Sequence, residues 1–161
     1  MDEKTNVMRL LEQKRIVYES YNYTNTNAIS GVEVADALGQ NPAEVFKTLV
    51  TVGKSGIHFV FVIPVNRELD LKKAAKCVGE KSIEMIKAKE LLALTGYIHG
   101  GCSPIGMKKE FLTTIDSSAL ALHSFCFSAG KIGYQVKISL NDMSKIIKYQ
   151  LADVTVLSDQ L

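Results

Sequence analysis

Apolar positions along the chain fall into short runs with two different spacings, which predicts a mixed α/β protein. Residues 5–14 place Val7, Leu10 and Leu11 on one face and Arg9, Glu12 and Lys14 elsewhere, the spacing of an amphipathic helix. IVYESYNY (16–23) is β-branched and aromatic with strand-like alternation, and TNTN (24–27) is a polar loop. Ser30 and Glu33 stand three apart as in a capping box, opening a helix that Gly39 ends, and Asn41-Pro42 starts a further turn. VFKTLVTV and IHFVFVIPV, joined by GKSG, read as a hairpin. Asp70 caps a helix over DLKKAAKCV that Gly79 closes, and a second helix covers 87–94 before Thr95-Gly96. HGGCSPIG (99–106) is a loop of small residues. TTID, HSFCFSAG and YQVKISL read as strands, Ser139 or Asn141 caps a last helix over DMSKIIKYQ, and ADVTV is a short final strand. Strands and helices do not alternate regularly, so the expected sheet is mixed or largely antiparallel with helices around it, in one domain over residues 1–161.

Composition adds boundaries. With 161 residues, 47% of them hydrophobic, the chain can bury a core without a disulfide or metal staple. Cys77, Cys102 and Cys126 are an odd number with no CxxC, which is neither a disulfide framework nor a zinc knuckle. A formal charge of +2 excludes a polycationic nucleic-acid coat, so nucleic acid would have to meet a local patch. The charged start, MDEKTNVMRLL, is not a signal peptide, and no apolar run reaches the length of a membrane span. A cytoplasmic protein is expected.

Several catalytic templates fail. Gly53-Lys54-Ser55 lacks the earlier glycine of a P-loop and sits in a hairpin turn. The loop around Cys102-Ser103-Pro104 has one residue too many for GxSxG, and Pro104 would spoil the elbow. His58, His99 and His123 have no metal-ligand spacing. His99 with Cys102 is open either as a thiol nucleophile and its base or as a small buried thiol in a tight loop. Lys47, on an apolar strand, is either a snorkelling surface residue or a cation set in a cleft. Strand alternation puts Val45, Lys47 and Leu49 on one face and Phe46, Thr48 and Val50 on the other. Gly100-Gly101-Cys102-Ser103-Pro104-Ile105-Gly106 specifies an unusual backbone path, either a plain tight loop or one whose N–H groups receive an anion or oxyanion. Ser128–Gly133 is a weaker turn of the same kind.

Four pieces in order, VFKTLV, LDLKKAAKCVG with KSIEM after it, TGYIHGGCSPIGMKK and SAGKIG, resemble the YbaK/EbsC family. These are single-domain aminoacyl-tRNA deacylases related to the editing domain inserted in bacterial prolyl-tRNA synthetases. The likeness runs from MRLLEQKRIVYESYNY to LADVTV. It implies a compact, barrel-like mixed α/β domain that hydrolyses the ester of mischarged tRNA without metal or cofactor, most of all Cys-tRNA(Pro). Alanine or another small amino acid as the acyl group, or a non-catalytic binder of amino acids or tRNA ends, are the alternatives. Implied partners are the tRNA acceptor end and prolyl-tRNA synthetase. The resemblance makes Lys47 the essential residue and places Tyr23, Thr48, Gly100, Gly101, Cys102, Ser103 and Ser128 at the substrate. Ser30 and Gln135 also fall at the implied pocket as departures, Gln135 standing where many members carry aspartate. Lys72, Lys73, Lys76, Lys108 and Lys109 are candidate phosphate contacts, or simply solvated faces.

Overall fold

In the computed structural model, which describes residues 3–157, the mixed α/β reading holds; the domain expected over 1–161 extends past these residues at both ends. Five strands form the main sheet, in the order β5 (Ile83–Met85), β2 (Phe46–Gly53), β3 (His58–Pro64), β6 (Leu112–Asp116), β9 (Gln150–Ala152). The hairpin β2–β3 and the pair β2–β5 are antiparallel, whereas β3–β6 and β6–β9 are parallel. A second, antiparallel sheet has the order β1 (Glu19–Asn22), β8 (Tyr134–Ile138), β7 (Phe125–Ser128). A two-stranded ribbon pairs β4 (Arg67–Leu69) with β10 (Thr155–Leu157).

Helix α1 (Asn6–Gln13) starts where Thr5 accepts from the Met8 N–H at 3.3 Å, and it buries Val7, Met8 and Leu11. These join Val60, Val62, Ile115, Phe125, Phe127, Val136 and Met143 in the larger core. Each such apolar side chain contributes about 1.5–3 kcal/mol when fully buried. Strand β3 is covered on both faces: Val60 and Val62 face that core, while Phe59, Phe61 and Ile63 face a second one with Ala74 and Ala75 of α3 (Leu71–Val78). This is why IHFVFVIPV is apolar throughout instead of alternating. Asp70 caps α3 and Gly79 closes it at φ 74°. Helix α2 (Gly31–Ala37) carries the expected Ser30–Glu33 capping box. Helix α4 (Ala88–Thr95) ends at Gly96 in the left-handed region.

Two expectations are corrected. The first strand begins at Glu19, not residue 16, because Arg15 turns the chain with φ 58° and leaves Val17 exposed while Ile16 is buried. The last helix, α5 (Leu140–Met143), is capped by Ser139 and lasts one turn. The Tyr149 hydroxyl donates to the Leu140 carbonyl at 2.9 Å, and Ile146, Ile147 and Tyr149 fold back on the core, so Gln150 enters a strand instead of extending the helix. The barrel-like mixed sheet stands as expected, although the described strands form no closed barrel. The two larger sheets touch through a parallel bridge between Val45 and Cys126, and that junction positions the site.

Candidate active site

Strand β2 is paired along one edge with β3 from Phe46 to Val52. Its other edge is shared. At its start it meets β7 through the Val45–Cys126 bridge, and β5 joins it only from Thr51. Between those contacts, residues 47–50 border a fork in the sheet. The Val45 carbonyl accepts from Val65 on the β3 side and the Val50 carbonyl from Ile86 on the β5 side. By strand alternation the Thr48 N–H and C=O then point into the fork.

A cavity of about 510 Å³ occupies it, a volume suited to a small organic group. Because it lies against a strand edge, both faces of β2 contribute: Lys47 and Thr48 line it together although their side chains leave opposite faces. This resolves the two readings of Lys47 in favour of a cleft. Lys47 is half-buried, and its ammonium has no hydrogen-bond or ion-pair partner among the described residues. It is the one Lys, Arg, Asp or Glu among the lining residues. The Thr48 hydroxyl oxygen is buried without a partner.

The other expected residues divide. Tyr23, Ser30, Gly100, Cys102, Ser128 and Gln135 line the cavity; Gly101 and Ser103 do not. Tyr23 is buried, held by its N–H to the Gly133 carbonyl at 2.8 Å. Ser30 spends its hydroxyl oxygen on the Glu33 N–H at 3.2 Å, so its place is explained by the helix cap. The Ser128 oxygen accepts from the Gly130 N–H at 3.1 Å. Gln135 is buried, and its side-chain oxygen accepts from Gln40 Nε2 at 2.6 Å.

Gly101 has its own reason to be glycine. A Cβ there would stand 3.1 Å from the backbone nitrogen of Ile132, so the two glycine loops lie backbone to backbone. Tyr97 wedges beside them, its hydroxyl donating to the Ile105 carbonyl. Gly100, at φ 90°, makes the turn that brings the loop to the cavity. The Gly101 N–H is taken by the Ile98 carbonyl at 3.0 Å, whereas the Gly100 and Cys102 N–H groups bond to no described residue. The buried Ser103 only closes a turn, accepting from Ile105.

Burial pushes the Cys102 thiol up to about 12, with Thr95 pulling weakly the other way. A thiol so held is a poor nucleophile at neutral pH, which decides the His99–Cys102 alternative for the small buried thiol. Among the described residues no cluster of three or more His, Cys, Asp or Glu could hold a metal, and no helix is long and apolar enough to cross a membrane. Of the candidate phosphate contacts, Lys73 is tied to Asp153 and to the Thr155 carbonyl, both at 3.1 Å, while Lys72 stays exposed.

Sequence reasoning missed the apolar wall: Ile29 just before α2 and Val32 in its first turn, Met85 at the end of β5 with Ile86 after it, and Leu91 of α4. It also missed Tyr134. Only the alternation around Tyr134 carried a signal; a three-residue strand such as β5 has too few positions to show a period.

The aminoacyl-tRNA editing domain pattern matches residues 26–146, which include every lining residue except Tyr23. The chain is 44% identical over 154 residues to EbsC of Enterococcus faecalis, which carries the name of a Cys-tRNA(Pro)/Cys-tRNA(Cys) deacylase; the match covers 95% of this chain and 94% of that one. It is 28% identical to the proline–tRNA ligase of Kosmotoga olearia over 84% of this chain but 24% of the ligase. A solved structure described as a trans-editing enzyme for prolyl-tRNA synthetase superposes with a TM-score of 0.82 at 23% identity, covering 93% of this chain and 94% of that one, which speaks to the fold. By sequence pattern and by full-length identity, the chain belongs to the aminoacyl-tRNA editing domain family, among its YbaK/EbsC proteins.

Proposed function

We propose that the chain forms a single trans-acting deacylase domain that hydrolyses the ester of mischarged tRNA, with Cys-tRNA(Pro) as its main substrate. The observation that carries this is the fork cavity, lined together by Lys47, whose ammonium has no partner among the described residues, and by Gly100 and Cys102, whose N–H groups bond to no described residue. An aminoacyl ester is already activated, so a site that positions it and stabilises an oxyanion suffices. Lys47 adds positive potential at the acyl end or holds the last phosphate. Gly100 and Cys102 N–H groups face the carbonyl oxygen as it gains charge. Tyr23, Thr48, Ser128 and Gln135 bound the acyl pocket. With cysteine as the acyl group, the substrate's own thiolate attacks its carbonyl carbon, the C–O ester bond breaks, the ribose oxygen takes a proton, and a thiolactone leaves. This suits a cavity in which no carboxylate among the described residues could act as a base.

A synthetase pocket separates proline from a similarly small residue by only about 1–3 kcal/mol. A second pocket acting on the wrong product supplies the missing discrimination. The tRNA acceptor end is the partner this requires, in the cytoplasm. Prolyl-tRNA synthetase is a natural second partner, since raising the local concentration of mischarged product offsets a near-neutral chain's weak grip on tRNA. The test is loss of label from Cys-tRNA(Pro), Ala-tRNA(Pro) and Ser-tRNA above spontaneous hydrolysis. Cys-tRNA(Pro) is expected to be cleared fastest. A flat result across all three with retained tRNA binding would replace the enzyme with a binding module.

A further inference from the structure

Gln135 is held from behind. Gln40, in the turn after α2, donates its Nε2 to the Gln135 side-chain oxygen at 2.6 Å, with Cys126 Sγ at 3.7 Å beside it. With that oxygen engaged by Gln40, the end of the Gln135 amide left for the cavity it lines is Nε2, whose N–H groups bond to no described residue. Lys47 is a second donor in the same space. Among the described residues no Asp or Glu lines it; the other titratable lining groups are Tyr23, Tyr134, His99 and Cys102. On the strands around Gln135, the carboxylate of Glu19 is engaged by the Tyr21 hydroxyl at 2.8 Å and by Lys137 at 3.9 Å. Glu44 and the buried thiol of Cys126 are not among the lining residues, although Cys126, shifted mainly by burial, also feels the charges of Lys137, Glu44 and Glu19. From the described residues the space thus holds one fixed positive charge and no negative one. A substrate bringing a second cation would meet like charge and lose its hydration.

We propose that the site takes its aminoacyl ester with the α-amino group uncharged, the amine nitrogen accepting a hydrogen bond from Gln135 Nε2, and that Gln40 is the positioning residue that fixes this donor. The chemistry asks little of the substrate. An α-amino group is the weakest base among the common amines of proteins, with a pKa of about 7.7–8.0, so the free base is available near neutral pH. The inference rests on the deacylase reading and names the ionisation state that the site selects.

The test uses a ligand that cannot be hydrolysed: the cysteinyl amide of 3′-amino-3′-deoxyadenosine, with its 2-hydroxy counterpart, in which an α-hydroxyl replaces the amine. Binding to the full chain is measured by calorimetry at pH 6.5 and 8.5, in buffers of different ionisation heat. The cysteinyl ligand should release about one proton on binding at pH 6.5, and its affinity should fall roughly 15- to 25-fold between pH 8.5 and 6.5. The hydroxy ligand should release almost none. It meets the same His99, so any histidine contribution cancels in the comparison. Gln135→Glu supplies a carboxylate for the ammonium and should abolish the release. Gln40→Met frees the Gln135 amide to turn its carbonyl inward and should cut the release to below about half a proton; a merely structural Gln40 would leave it unchanged. Binding without proton release, the ammonium being held by the Thr48 carbonyl, overturns the proposal while leaving deacylation intact. Failure of both ligands to bind, in a chain that also clears no aminoacyl-tRNA, overturns this proposal and the deacylase reading together.

Discussion

Replacing Lys47 with methionine separates chemistry from folding more cleanly than any other single change in the fork. Methionine keeps an unbranched stem for the half-buried position and removes only the charge. Because the ammonium has no partner among the described residues, no ion pair is lost and no opposite charge is stranded. The stability change should therefore stay within about 0.5 kcal/mol, as for substitutions that break no specific interaction. Catalysis should suffer far more. Deleting one group that stabilises a developing oxyanion costs about 2.7–4 kcal/mol, or roughly 10²–10³ in rate. The assay is single-turnover deacylation of labelled Cys-tRNA(Pro) with enzyme in excess, beside urea unfolding of the same preparations. A fall in the saturated rate assigns Lys47 to the reacting end. A rise in the enzyme concentration needed for half-maximal rate, with the saturated rate unchanged, assigns it to phosphate holding. Turnover within threefold of wild type would remove it from the mechanism, and destabilisation beyond about 2 kcal/mol would show that the cavity reading of its side chain is wrong.

Two further outcomes follow from the same geometry. Gly101→Ala places a methyl group 3.1 Å from the Ile132 nitrogen and 3.4 Å from the Lys131 carbonyl carbon. The two loops must part by a few tenths of an ångström, at a cost of about 1 kcal/mol in urea unfolding and roughly tenfold in kcat/KM, as the Gly100 and Cys102 N–H groups shift; full activity would show that those groups are not used. Cys102→Ala should keep deacylation within about threefold, since at pH 8 about one thiol in ten thousand would be ionised at a pKa of about 12. In the folded chain Cys102 is pushed up to about 12 and Cys126 to about 11, both by burial, whereas an unfolded thiol titrates near ~8.5. The folded state binds these protons more tightly. Their contribution to stability is therefore complete below about pH 8.5 and is lost as the pH rises toward 11–12. Cys102→Ala should flatten that alkaline decline in the unfolding midpoint; an unchanged pH slope would mean that the thiol is not desolvated.

How much of this was written in the sequence depends on the range of the interaction that decides each piece. Caps and helix stops were legible because they are local. Ser30 with Glu33, Asp70 with Gly79, and the β2–β3 hairpin around GKSG are each settled within a few residues, and each stands where the pattern put it. The three-residue strands β4, β5 and β9 exist only because a distant partner pairs with them, and no local pattern announces such a partner. The site shows the same division. Lys47 and the glycine loop could be singled out by residue type, but alternation put Lys47 and Thr48 on opposite faces and so gave them different neighbours. What unites them is the place where β2 loses β7 and has not yet gained β5. Alternation assigns faces and is silent about edges. A strand whose second edge is left unpaired between Lys47 and Leu49, while its first edge pairs with β3, turns its backbone, and side chains from both faces, into one wall, and the apolar rim from α2 and β5 covers an edge that would otherwise be a liability. The unpaired edge and the candidate pocket are therefore a single feature. If extra residues after Met85 lengthened β5 so that it paired with β2 back to Lys47, the fork would close, and deacylation should disappear while the sheet gained stability.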